Sequence, residues 1–220
     1  MIVMARQALR YGAVGIGFGV AYVPGASRLE VLRLFELAAA EGVPCHLHIR
    51  HFGPVPASNS SLDAVEEVIA AAAITGAAAQ IAHIGSMVAD PTDMAAALWM
   101  IEGALARGID VMADIYPYTA AATGLGTTTF DDGWQQRFGG IDYSDLELVS
   151  NGERLTAEGG VPVVIHYIPE RTIRAALSHP LAMVASDGVI QGGRGHPRGA
   201  GTFARILGRY VRTLGVIELP

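Results

Sequence analysis

At 220 residues with 51% hydrophobic side chains, the chain is long enough to bury one full core, which excludes disorder as its main state. Its 15 basic and 21 acidic residues give a net charge of −6 with no basic block, arguing against a nucleic-acid partner, and its single cysteine excludes an internal disulfide framework. No apolar run reaches the ~20 residues of a membrane span and no secretory signal opens the chain, so a cytoplasmic protein with no membrane partner is expected.

In chain order, residues 13–23 are rich in Gly, Val, Ile and Phe and predict a first strand, after which Ser27 caps a helix from Leu29 to Glu41. A second strand is expected over Val43 to His48, a helix over Ser61 to Thr75, a strand over Ala78 to His83, a helix over Pro91 to Arg107 and a strand over Ile109 to Ile115. After a long interval come a strand over Val161 to Ile168, a helix over Glu170 to Ser178, a strand over Leu181 to Ser186 and a helix over Thr202 to Leu214. About six strands, apolar on both faces and separated by helices, predict an α/β protein built on a parallel sheet covered on both sides.

Polar residues close several of these strands. His48, His83, Asp114 and Asp187 stand at the C-terminal ends of four of them, which is the rim where (β/α)8 barrels assemble their sites. A doubly wound sheet would gather its site at one switch point instead. The expected fold is therefore a partial TIM-type (β/α)8 barrel of about six β/α units, two short of closure, forming a single incomplete domain over residues 1–220. The interval from 119 to 160 shows no clear strand and only weak helical patterns over Asp131 to Phe138 and Ser144 to Leu155. It reads either as a lid-like insertion, with Phe130, Trp134 and Phe138 covering a site, or as an insertion packed on the barrel exterior.

Strand-end groups from different strands suggest a metal site. His46 and His48 share one face of an extended strand, whereas Cys45 points the other way, toward the covering helices, as a buried, inert thiol. Asp114, ahead of Tyr116-Pro117-Tyr118, reads as a structural or supporting acid. His166 has a strand-end position without an evident partner, and His51 and His179 read as solvent-facing. Residues 191–201, with five glycines and two arginines, read as a mobile anion-binding loop; a phosphate loop of an unrelated barrel is the alternative.

His48-Ile49-Arg50, Ala82-His83, Asp114-Ile115-Tyr116-Pro117-Tyr118-Thr119-Ala120, Ala185-Ser186-Asp187-Gly188 and His196-Pro197-Arg198-Gly199-Ala200-Gly201-Thr202-Phe203, in this order, resemble the N-acyl-D-amino-acid deacylase (D-aminoacylase) branch of the amidohydrolase superfamily. Each motif alone is common; five in order are specific. The resemblance implies a metal-dependent hydrolase barrel carrying one or two Zn2+ ions and acting on a carbon–nitrogen amide bond outside peptides, with an N-acyl-D-amino acid as small-molecule substrate. It covers the middle and later barrel. The family's β-sandwich, first His-x-His strand and metal-binding cysteine have no counterpart before Ala13, so the chain is expected to be a fragment, lacking also the family's C-terminal end.

By this resemblance His48 and His83 are the metal ligands, with His46 behind them, and Asp187 is the catalytic general base and acid. Zinc would lower the pKa of its water to about 7 and polarise the scissile carbonyl. Tyr116, Arg198 and His196 are the substrate-binding candidates, with Arg198 and Tyr116 suited to the substrate carboxylate. The family often has a lysine shortly after the second metal histidine; this chain reads His83-Ile84-Gly85-Ser86, a departure that bears on acyl-amino-acid preference. The runner-up readings are a related cyclic-amide, hydantoinase-like hydrolase and a non-catalytic barrel fragment whose open edges invite self-association.

Overall fold

The structure is a computed structural model that describes residues 1–53, 59–148, 162–191, 194–196 and 198–218. Parts of the 119–160 insertion, of the helical pattern over Ser144 to Leu155 and of the 191–201 loop lie outside the described residues.

A helix α1 (Ile2–Arg10) precedes strand β1 (Ile16–Gly19), and helix α2 (Arg28–Glu41) follows. The expected Ser27 cap is a full capping box: Ser27 Oγ accepts from Glu30 N, and Glu30 reaches back to Ser27 N at 2.8 Å. Strand β2 (Cys45–His48) leads to helix α3 (Ser61–Thr75), which Ser60 and Asp63 cap in the same way. Strand β3 (Ala79–Ile81) runs through a short helix α4 (Ile84–Met87) into helix α5 (Pro91–Leu105). There Pro91 takes a first-turn position and Asp90 accepts from Thr92 N and Asp93 N. Strand β4 (Val111–Ile115) completes this run.

Strands β1, β2, β3, β4 and β8 (Ala182–Val184) form one sheet in that order, with every pair parallel. The register is in step: Ile16 faces Cys45, Cys45 faces Ala79, and Ala79 faces Val111. Helices α2, α3, α5 and α7 (Glu170–Leu177) pack side by side over one face. The core between them holds Phe35, Leu47, Val65, Ile81, Ile101, Val111 and Ile115, all at most 2% exposed. The partial barrel is thus unclosed, with one free edge on β1 and one on β8 among the described residues.

The strand expected over Val161 to Ile168 does not join this sheet. It is β7 (Pro162–His166), which pairs antiparallel with β5 (Ala120–Gly124) on one side and β6 (Leu146–Leu148) on the other. Five strands rather than six therefore build the parallel sheet, and the interval read as strandless supplies two strands of a second one. β5 escapes a periodicity reading because Ala-Ala-Ala-Thr-Gly has little intrinsic strand preference; pairing with Val163, Val164 and Ile165 holds it. A second core forms beneath this sheet from Trp134, Phe138, Leu146, Val163 and Ile165. Trp134, which opens the short helix α6 (Trp134–Arg137), and Phe130 are drawn into it, Trp134 lying edge-on to Phe138 and Tyr143.

Strands β9 (Ile190–Gln191) and β10 (Arg194–Gly195) form a small hairpin before helix α8 (Arg198–Arg205), which continues as a π-helical turn over Ile206–Thr213. The last helix thus starts four residues earlier than the expected Thr202, because Gly199 and Gly201 are helical despite their loop-like composition.

Cys45 is fully buried against the helices, as its strand parity requires, and burial pushes its thiol up to about 12. The folded chain should leave a disulfide reagent unreacted at pH 8 and react once denatured. Because the raised pKa belongs to the folded state, the associated stability is complete below about pH 8.5, the free-thiol value, and is lost as pH rises toward 12. Thiol titration with and without denaturant measures the first effect, and chemical unfolding at several pH values the second.

Candidate functional site

Parallel pairing brings the C-terminal ends of β1 to β4 and β8 to one rim, and a cavity lies there under the second sheet. Its walls include His48, His83, Tyr116, Asp187 and Arg198, five of the six candidate site residues. Tyr22 just after β1 and Ala122, Thr123, Phe138 and Tyr167 from the second sheet's side close it. Thr128 Oγ1 donates to Ala21 O at 2.8 Å, tying the insertion down over the rim.

His48 ends β2 on the opposite face from the buried Cys45 and Leu47. Its ring stands 4.6 Å from that of His83, edge-on, and 4.5 Å from Tyr22. His46 shares the His48 face but is exposed. The neighbouring Arg50 faces away from this pair and serves the scaffold. Its Nε and Nη2 each donate at 2.8 Å to the Glu67 carboxylate of α3, and Nη1 donates to Ala26 O. This half-buried fork fixes the turn after β2 to two helical connections.

His83 adopts φ 36° and Asp187 φ 47°, two of the three non-glycine residues with positive φ among those described. Such backbone is costly outside glycine and gathers at functional turns. At His83 the turn is held by Asp114, whose Oδ1 accepts from His83 N at 2.8 Å while Oδ2 accepts from Gln80 Nε2. Asp114 is 6% exposed and works as a bracket between β3 and β4, in line with its expected supporting role. Burial raises its pKa, and the hydrogen bond from His83 N draws it back down.

Both imidazoles are held neutral. Burial pushes His48 down to about 3, aided by the nearby His83, and His83 down to about 4, aided by the Arg198 guanidinium. Neutral rings keep a lone pair for a cation, so the chemistry of the pair fits zinc at two of its usual four positions. Among the described residues, no group of three or more His, Cys, Asp and Glu side chains is placed to share a metal ion.

Asp187 and Arg198 meet at 3.0 Å between Oδ2 and Nη2, an ion pair between a nearly buried guanidinium and a partly exposed carboxylate. Partial burial raises the Asp187 pKa, and the Arg198 charge opposes that rise. Arg198 also lies over the Tyr116 ring, 4.8 Å from its centroid. Arg198 Nε and Tyr116 Oη are buried without a hydrogen-bond partner. Two orphaned donors at one cavity are costly unless something else satisfies them.

His196 stands apart from the other five. It is 5% exposed, outside the cavity wall, and its Nδ1 accepts from Arg198 N at 3.0 Å while its ring abuts Tyr118 edge-on at 5.4 Å. It supports the first turn of α8 instead of facing the cavity. Of the remaining histidines, His166 pairs with Glu147 at 3.1 Å across β7 and β6, and His179 pairs with Glu102 at 3.2 Å and is only 18% exposed, not solvent-facing as expected. His51 is half-buried.

Sequence reasoning missed Tyr22, Ser86 and Tyr167. Tyr22 follows β1 and was open to the strand-end rule that picks out His48. Ser86 follows His83 by three residues, and Tyr167, whose Oη donates to Ser86 O at 2.5 Å, follows β7. The placement of Tyr167 depends on the pairing of β7 with β5 and β6, and those two strands gave no local signal.

No family model matches the chain. Over 98% of its length it is 34% identical to N-acyl-D-glutamate deacylase of Alcaligenes xylosoxydans xylosoxydans and 29% identical to D-aminoacylase of the same organism. The crystal structure of N-acyl-D-glutamate deacylase from Bordetella bronchiseptica, complexed with zinc and a phosphonate mimic of the tetrahedral intermediate, superimposes on 99% of this chain with a TM-score of 0.82 at 29% identity. In sequence and in fold the chain is similar to N-acyl-D-glutamate deacylase and D-aminoacylase. A crystal structure of D-aminoacylase itself, at 24% identity and a TM-score of 0.79, shares the fold. The chain spans 46% of the length of the two sequence relatives and 48% of the two solved chains. The neighbours are amidohydrolase TIM-barrel enzymes, so the open five-stranded sheet is part of such a barrel.

The Ser186-Asp187-Gly188 turn packs on α8 so closely that a Cβ on Gly188 would lie 2.6 Å from Gly199 Cα. Gly188→Ala should therefore cost about 1–3 kcal/mol through overpacking, whereas Gly17→Ala, where a Cβ meets nothing within 4 Å, should cost less. Urea unfolding of the two variants compares them.

Proposed function

We propose that the chain carries the later part of a zinc-dependent amidohydrolase site that removes the acyl group from N-acyl-D-amino acids. The observation that carries the reading is the pair of orphaned donors, Tyr116 Oη and Arg198 Nε, beside two neutral imidazoles and one carboxylate in a single cavity. An N-acyl-amino acid supplies what each lacks: a carboxylate for the guanidinium and phenol, and a scissile carbonyl beside the imidazoles.

In this reading His48 and His83 hold the metal, with its other positions filled by groups outside the described side chains, water among them. Zinc, when bound, supplies Lewis-acid polarisation of the carbonyl and of the attacking water. Asp187 takes the proton of that water and returns it to the departing amine nitrogen. Arg198 orients Asp187 through the 3.0 Å ion pair and also binds the substrate carboxylate, and His196 steadies Arg198 from behind. The number of zinc ions, one or two, follows the relatives, for one of which a binuclear metal centre is described.

The described part of the insertion, residues 119–148, acts as a lid in this proposal. The cavity beneath it encloses about 50 Å3, small beside the roughly 300–1,000 Å3 of small-molecule sites, so the second sheet shifts to admit substrate. A cytoplasmic location, consistent with the single buried thiol, belongs to the same reading; no helix among the described residues is long and apolar enough to cross a membrane.

A second reading, a non-catalytic barrel piece that self-associates, is favoured by the two open sheet edges and by a metal set that reaches only two imidazoles. Elemental analysis of the purified chain separates the two. The first reading expects about one zinc per chain, absent from the His48→Ala, His83→Ala double variant. It further expects hydrolysis of N-acetyl-D-amino acids that falls about 100-fold or more in Asp187→Asn. A folded chain without zinc, eluting as a multimer by light scattering, establishes the second.

A further inference from the structure

We infer that Ser86 and Asp114 clamp His83 as the Nδ1–H tautomer, leaving Nε2 as its one lone pair at the cavity. The assignment follows from counting protons. Ser86 Oγ lies 2.9 Å from His83 O and 2.9 Å from His83 Nδ1. A carbonyl oxygen only accepts, and a hydroxyl has one proton to give, so that proton goes to His83 O. The contact with Nδ1 is then a hydrogen bond only if Nδ1 carries a proton and donates to Oγ. A neutral ring protonated at Nδ1 has its lone pair on Nε2, to which no described group is bonded.

Asp114 completes the clamp from the other side. Its carboxylate accepts from His83 N at 2.8 Å and is itself anchored by Gln80 Nε2 on β3. The backbone N–H, backbone carbonyl and Nδ1 of His83 are thus all committed, within a left-handed turn that would otherwise relax. Tyr167 donates to Ser86 O, so the second sheet holds the clamp's own backbone in place. Ser86 and Asp114 are positioning residues: each acts through His83. The link to catalysis rests on the proposal above that His83 is a metal ligand, whereas the tautomer rests on the hydrogen bonds alone. Loss of a group that fixes a ligand imidazole in this way typically costs about 10- to 100-fold in metal affinity.

The test reads the two ring nitrogens of His83 by NMR in the full chain labelled with 15N, the signals being assigned by their loss in His83→Gln. A protonated Nδ1 and an unprotonated Nε2 are expected, shifting toward the opposite tautomer in Ser86→Ala and returning in Ser86→Thr, which restores the hydroxyl. In Asp114→Ala the His83 amide should exchange with solvent at least about 10-fold faster while the Ala79 and Ile81 amides keep their protection, as expected where one local bond is lost and the strand survives. An Nε2–H ring in the native chain, or a spectrum unchanged by Ser86→Ala, overturns the clamp. Titration with Co2+, followed by visible absorption, should show affinity about 10- to 100-fold weaker in Ser86→Ala. If the native chain takes up no Co2+, the ligand role of His83 falls and the nitrogen shifts still decide the tautomer.

Discussion

Parallel pairing of five short strands forces each of them to end on the same rim, and every residue that gives this molecule chemical character stands at that rim or just beyond it. The step-by-step register from Ile16 through Cys45 and Ala79 to Val111 leaves no freedom in this. A slip of one residue would turn His48 toward the helices and Cys45 toward the cavity, since strand side chains alternate. The buried Leu47 and Cys45, packed against the helices, are what hold His48 on the open side.

Around that rim the electrostatics are set by burial and one guanidinium. Desolvation keeps His48 and His83 neutral, and Arg198 reinforces it at His83 while stabilising the charge of Asp187. One cation therefore acts in opposite senses on two groups, disfavouring charge on the His83 ring and favouring it on the Asp187 carboxylate. Arg198 can do so because four contacts immobilise it: Asp187 and Ala122 O on Nη2, the Tyr116 face beneath it, and His196 on its backbone nitrogen. Its Nε is buried without a hydrogen-bond partner among the described residues.

The second sheet gives the rim its cover, and it shows how far local pattern reaches. β7 is as apolar as a barrel strand, so composition alone assigned it to the barrel; its antiparallel partners, β5 and β6, decide otherwise. β5 is nearly polyalanine and β6 only three residues long, so neither stands out in a window of residues. The aromatic residues suggested as a cover divide for the same reason. Phe138 reaches the cavity, whereas Trp134 is consumed by the second core that β6 and β7 create.

Strand–helix alternation, the Ser27 cap and the strand-end positions of His48, His83, Asp114 and Asp187 were legible in the sequence by itself, because hydrogen bonding and burial between near neighbours fix them; the matching Ser60 cap emerged only with the structure. The five ordered motifs likewise carried the resemblance to the D-aminoacylases. Tertiary structure alone decided that Asp187 faces Arg198, that His196 turns away from the cavity, that β7 leaves the barrel and that Ser86 meets the ring of His83. The pairing of β7 with β5 and β6 joins segments distant in the chain, the Asp187–Arg198 pair and the His196 orientation depend on how the loop before α8 folds back on itself, and the last depends on a left-handed turn at His83 that Asp114, 31 residues away, holds in place. No periodicity records such encounters, since their energy appears only once the two surfaces meet.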